Sequence, residues 1–207
     1  MPDSKKPVKR MPGEDRKAQI VKVATLLFAK NGFKGTTTRE IARKAGISEA
    51  VIFKHFSRKE DLYKAIIDSR CSEGTGQSRL INHLKGKKGK EVFKDLAAFL
   101  LSEHQRDSSF LRLLTYSALE KHDLSEIFIK TKGLELIEFI EAHIKSLIDE
   151  GVLKKTDPAV AARAFMGMVL HYSISQELYG LKKYFERPNE TVIDIFVNIF
   201  FEGMKRR

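Results

Sequence analysis

With 207 residues, 42% of them hydrophobic and 31% charged, the chain can bury a substantial core as one large domain or two small ones, which excludes a disordered protein. A single cysteine, Cys71, excludes an intrachain disulfide and a cysteine-rich zinc cluster, and no run of about 18 apolar residues marks a membrane span, so a soluble chain in a reducing cytoplasm is expected. The net charge of +11 is unevenly spread: residues 1–60 hold 15 of the 38 Lys and Arg but only 6 of the 27 Asp and Glu, as expected of a segment that meets a polyanion or of a solvated surface with a basic tail.

Residues 1–12, rich in proline and basic side chains, are expected to be a flexible basic arm. Ile20, Val21, Ala24, Leu27 and Phe28 then recur on one face of an amphipathic helix that ends at Asn31-Gly32. A second helix runs from Thr38, with Thr37 as its N-cap, to Ala45. Gly46 supplies a tight turn, and Ser48 caps a third helix that reaches His55. Ser57 and Glu60 have the spacing of a capping box for a fourth helix, continuing toward Glu73, with Gly74 and Gly76 as breakers. Residues 85–90, KGKKGK, read as a loop. Helices follow over residues 91–102, 110–118, 124–150, 158–178 and 190–205; Asp157-Pro158 starts one of them and Asn189 caps the last. The expected fold is all-α with about nine helices and no strand alternation. A boundary is expected near residue 60, between the basic segment of residues 13–60 and the helical remainder, residues 61–207.

The interruption within IARKAGISEAVIFKHF sets one short helix at an angle to the next, the geometry of a helix-turn-helix whose second helix enters a DNA major groove. Ala42 permits close crossing, and Ile41, Ile47, Ile52 and Phe56 are placed to bury the inner faces. Glu49, Ala50, Phe53 and Lys54 are left on the outer face.

The stretch TTTREIARKAGISEAVIFKHFSRKEDL resembles the DNA-binding segment of the tetracycline-repressor (TetR) family of bacterial regulators. The likeness rests on Thr37-Thr38, Ile41-Ala42, Ala45-Gly46, Ser48, Phe53, His55-Phe56, Lys59-Glu60 and Leu62. It implies that Thr38, His55 and Lys59 meet DNA phosphates, while Ser48, Glu49, Ala50, Phe53 and Lys54 lie at or near base edges. Lys54 suits the guanine N7 and O6 acceptors. Phe53 stands where many members have Tyr and retains an apolar face for a thymine methyl. Glu49 stands where Lys is frequent; it either reads a cytosine amino group or points aside.

In the C-terminal two-thirds, Phe99, His104, Phe110, Leu113 and Tyr116 are candidates to line a cavity between helices. So are Phe139, His143, Phe165, Met168, His171 and Tyr172, and the aromatic content favours a lipophilic effector. The last two helices carry small residues, Ala164 and Gly167, and a broad apolar arc including Ile195, Phe196, Ile199 and Phe200. This excess is expected to meet a second copy of the chain. The family resemblance implies the same helix pair as the dimer interface.

The six histidines lack metal-ligand spacing, and no nucleophile-base pair or paired carboxylates stand out, so no metal, cofactor or enzymatic activity is expected. The leading reading is a homodimeric transcriptional repressor that binds double-stranded DNA at a palindromic operator and leaves it on binding a small-molecule effector. The alternative is a sequence-nonspecific architectural DNA-binding protein without ligand.

Overall fold

The computed structural model describes residues 12–71, 76–121 and 123–205. The N-terminal arm up to residue 11, Glu73, Gly74 and His122 lie outside the described residues. The elements in order are α1 (Gly13–Asn31), α2 (Thr38–Ala45), α3 (Glu49–His55), α4 (Lys59–Cys71), α5 (Gly76–Leu84) and α6 (Lys90–Arg106). They continue with α7 (Ser109–Leu119), α8 (Asp123–Phe128), α9 (Leu134–Asp149), α10 (Pro158–Glu177) and α11 (Asn189–Met204). The all-α class holds, but the helix count is higher than the sequence pattern suggested. The short α5 lies between two expected helices, and residues 124–150 divide where a π-helical turn, Ile129–Gly133, separates α8 from α9. Among the described residues the one extended pairing is an isolated bridge between Leu153 and Lys205.

Two apolar clusters organise the chain. The first gathers Ile20, Ala24 and Phe28 of α1, Ile41 of α2, Ile52 of α3 and, from α4, Leu62, Tyr63 and Ile66. The inner face of α4, beyond residue 60, is therefore part of the N-terminal core. Leu113 of α7 reaches the same cluster, so α7 docks the C-terminal helices onto α1. The second cluster joins α5, α6, α9, α10 and α11 around Phe93, whose ring meets Phe165 at 4.9 Å and Phe200 at 5.2 Å. Phe165 and Phe200, read from sequence as cavity and interface residues, are thus core residues: Phe165 is fully buried and Phe200 is 6% exposed.

Helix ends follow local chemistry in most cases. Thr37 accepts from Glu40 N–H while the Glu40 carboxylate accepts from Thr37 N–H at 2.8 Å, a reciprocal capping box. Asp157 accepts from Ala159 and Val160 N–H at 2.9 and 3.1 Å, with Pro158 in the first turn. Three caps expected from sequence differ. The Ser48 side chain makes no cap bond. At α4 the backbone bond runs from Arg58 N–H to Asp61, not between Ser57 and Glu60. Asn189 exchanges hydrogen bonds with Gln105 on α6 instead of capping α11. In each case the side chain has a competing partner or an exposed position that the linear pattern does not encode.

The turn after α1 is also tied to the end of α7. Gly32 has φ 73°, and a Cβ placed there would come within 2.5 Å of Glu120 Oε1. The Glu120 carboxylate accepts from Phe33 N–H at 3.0 Å and Lys34 N–H at 3.3 Å, and the Tyr116 hydroxyl donates to Lys30 O at 3.3 Å. Glycine is needed there both for its positive φ and for this close approach.

Candidate nucleic-acid interface and adjoining cavity

Gly46 adopts the left-handed conformation (φ 67°, ψ 35°), and Ile47 N–H donates to Ala42 O at 3.0 Å, so the chain turns sharply between α2 and α3. Ile41, Ala42, Ile52 and Phe56 are buried beneath the turn, and Ile47 packs at its edge. This leaves Ser48, Ala50, Phe53 and Lys54 exposed along the outer side of α3; Phe53 keeps 49% of its surface, although an unpaired Phe would ordinarily be buried. His55 closes α3 half-buried, its ring 6.5 Å from that of Phe56.

Glu49 turns aside. Its carboxylate accepts from the Thr38 hydroxyl and lies 4.0 Å from Arg39 Nε, bridging the first turns of α2 and α3. Thr38 is therefore engaged by a carboxylate where the resemblance places a phosphate.

Lys59 differs from its expected role more clearly. Its ammonium donates to Phe33 O at 2.7 Å and Thr36 O at 2.9 Å and lies 4.0 Å from the Phe33 ring centre. Burial lowers its pKa, against the opposing pull of Glu60 and Glu120. The side chain braces the α1–α2 turn instead of reaching outward. Nothing in the local sequence announces a contact across 26 positions. Basic side chains that sequence reading did not single out, Arg39, Arg43, Lys44 and Arg58, are exposed on the same N-terminal unit.

Behind this unit lies a cavity of about 1030 Å³. Its walls come from α1 (Val21, Lys22), α4 (Ala65, Asp68), α6 (Phe99, Leu100, His104), α7 (Phe110) and α8 (Phe128), with Arg79 of α5 at one side. Of the cavity residues expected from sequence, Phe99, His104 and Phe110 line it. The others lie elsewhere: Leu113 belongs to the N-terminal core, Tyr116 faces Lys30, and Phe139 and Met168 pack on the second core. His143 Nε2 is 3.3 Å from Gly89 O, His171 is exposed with Nε2 3.3 Å from Ser175 Oγ, and the Tyr172 ring meets Phe196 at 5.6 Å. The α1 and α4 contributions were missed because a wall shared between two units leaves no periodic signal in either.

His104 differs from the other polar groups of this wall. Its Nδ1 is shut away from solvent without a hydrogen-bond partner, and burial lowers its pKa below 6.5, so the ring is held neutral.

On α10 and α11, Ala164, Gly167, Ile195 and Ile199 are exposed, the two isoleucines by 49% and 59%, and Phe196 is half-buried. Val160, 61% exposed, extends the apolar strip along α10. No helix among the described residues is long and apolar enough to cross a membrane, and no group of three or more His, Cys, Asp and Glu among them is placed to hold a metal ion.

Residues 20–66 match the family described as bacterial regulatory proteins, tetR family, and residues 90–203 match the AefR-like transcriptional repressor, C-terminal domain. The uncharacterized HTH-type transcriptional regulator YvkB of Bacillus subtilis (strain 168) is 24% identical over 190 residues, covering 90% of this chain and 95% of that protein. Among solved structures, AibR in complex with isovaleryl coenzyme A and operator DNA superposes with a TM-score of 0.71 at 21% identity, covering 90% of this chain and 98% of that one. The fatty acid degradation regulator FadR from Bacillus halodurans gives 0.72 at 15% identity, covering 99% and 100%. These two likenesses establish the fold.

Proposed function

Because this chain belongs to the tetR family of bacterial transcriptional regulators, we propose that it is a homodimeric repressor that reads a palindromic operator through α3 and is released by a small lipophilic effector. The observation that carries the reading is the outer side of α3, where Ser48, Ala50, Phe53 and Lys54 stand clear of a firmly buried inner face. In this account residues 13–60 form the reading head, and α4 joins it to the helical body of residues 61–207. Lys54 reads a base edge, Phe53 offers an apolar contact, and the α2 terminus and His55 approach phosphates. Thr38 exchanges the Glu49 carboxylate for phosphate on docking, which frees Glu49 to face a base amino group. Lys59 holds the turn that presents these groups.

The release step is supported by the cavity, since α1 and α4 of the head share its walls with α6, α7 and α8. A ligand there contacts both units, so it binds one head position better than the other and shifts the population between them. AibR, crystallised with an acyl thioester and operator DNA, supplies a precedent for pairing these two ligands on this fold. The exposed strip on α10 and α11 supports a two-fold dimer that places two heads on one duplex. A regulator of this kind works in the cytoplasm, without cofactor or metal.

Selection from random duplexes tests the reading. An enriched palindrome is expected, and Lys54→Ala should relax one symmetric position in each half-site at about 1–3 kcal/mol per contact. Retention of all duplexes alike would overturn it in favour of an architectural DNA-binding protein.

A further inference from the structure

The cavity behind the reading head also constrains what can fill it, an argument that rests on the effector reading above. Its inner wall is apolar, with Val21, Leu100, Phe99, Phe110 and Phe128, and the last two rings meet edge-on at 5.2 Å. Its charged groups balance: Lys17, Lys22, Arg79 and Arg106 face Glu14, Asp68, Glu103 and Asp107. Some of them are already committed, as Arg106 pairs with Glu103 at 2.6 Å and Asp107 accepts from Ser109 N–H at 2.9 Å. An anionic headgroup would meet as many carboxylates as cations, so the wall offers it no net attraction.

The uncharged polar groups are more selective. The hydroxyls of Thr25 and Ser69 donate to Val21 O and Ile66 O, both at 2.8 Å, and have no proton left to give. His104 is different. A neutral imidazole carries one N–H, and a buried N–H without an acceptor is seldom tolerated. Since Nδ1 is sealed without a partner, we place the proton on Nε2, which makes that nitrogen the donor left to a ligand.

We infer that the cavity takes an uncharged, lipophilic molecule carrying a hydrogen-bond acceptor, a carbonyl or ether oxygen, which receives the Nε2 proton of His104. His104 is then the group that separates such molecules from plain hydrocarbons, and the balanced rim separates them from carboxylates.

Three eight-carbon probes test this on the full-length protein by calorimetry and thermal melting: octane, methyl hexyl ketone and octanoate. The ketone is expected to bind about tenfold more tightly than octane, the contribution of one hydrogen bond, and octanoate no more tightly than octane. His104→Phe should abolish the ketone's advantage while leaving octane binding in place. His104→Gln, which keeps an N–H donor, should restore part of it. Octanoate binding tightest, or a ketone advantage that survives His104→Phe, would overturn the inference. Equal binding of all three probes would overturn it while leaving the effector reading intact. Failure of every probe to raise the melting temperature would overturn both.

Discussion

In the reading head the turn from α2 to α3 is fixed by neighbours in sequence: Thr37 and Glu40 cap one helix, and Gly46 ends it. In the helical body the decisive contacts join distant segments, as where Phe93 packs against both Phe165 and Phe200. Local closure gives a rigid α2–α3 turn that presents side chains at set angles. Long-range closure leaves a cavity between packed helices, which can be filled or empty. The first kind of construction suits reading a fixed surface such as DNA, and the second suits responding to a ligand.

The largest test of that division lies on α11. Ile195 and Ile199 are exposed and Phe200, one position on, is buried. Ile195→Glu together with Ile199→Glu should leave a folded chain but give monomers in ultracentrifugation, because burying each carboxylate in an interface costs on the order of several kcal/mol. Phe200→Glu should instead unfold the body, seen as loss of helical circular dichroism. An unchanged dimer in the double variant would move the interface elsewhere.

Lys59 and Lys54 provide the next contrast. Lys59→Ala removes two charge-assisted hydrogen bonds to the α1–α2 turn and should lower stability by about 1.5–3 kcal/mol, with little change in the salt dependence of operator binding. Lys54→Ala should leave stability within about 0.5 kcal/mol and alter base preference. A salt slope reduced by about one unit per subunit in Lys59→Ala would return that residue to the phosphate backbone.

Smaller effects separate the caps. Thr37→Ala should cost about 1 kcal/mol, since a reciprocal box is lost, whereas Ser48→Ala, which removes no cap bond, should stay within about 0.5 kcal/mol in denaturant melts. The smallest concerns His104. Its folded pKa lies below the ordinary 6.5, so as pH falls through 6.5 the unfolded chain takes up a proton that the folded chain does not. Stability should therefore decline below that pH and level off once the folded ring protonates. The decline should vanish in His104→Phe, and its persistence there would assign it to another group.

The same division explains what was legible in the sequence. Thr37, Gly46, Ile41, Ile52 and Phe56 take the conformations and burial that their spacing suggests, because helix caps and amphipathic faces are properties of short segments. Asp157-Pro158 was readable for the same reason. Lys59 was not, since a lysine at a helix start looks the same in sequence whether it meets phosphate or two carbonyls of a distant turn. The cavity was legible only where α6 and α7 supply aromatic residues among polar ones. Its α1 and α4 walls are ordinary helix surface until the two units pack together. Phe200 shows the limit of a helical arc: the arc's width signals that two surfaces are covered, yet which residue faces the core depends on helix rotation, set by Phe93 and Phe165.

Coupling between cavity and head is read in one titration. The selected operator duplex is titrated with protein by fluorescence anisotropy, with and without a saturating amount of whichever lipophilic compound raises the melting temperature most. At least about a tenfold loss of operator affinity, roughly 1.4 kcal/mol of coupling, is expected with the dimer intact. An operator affinity that stays the same while the compound occupies the space between α1, α4 and α6 would contradict it.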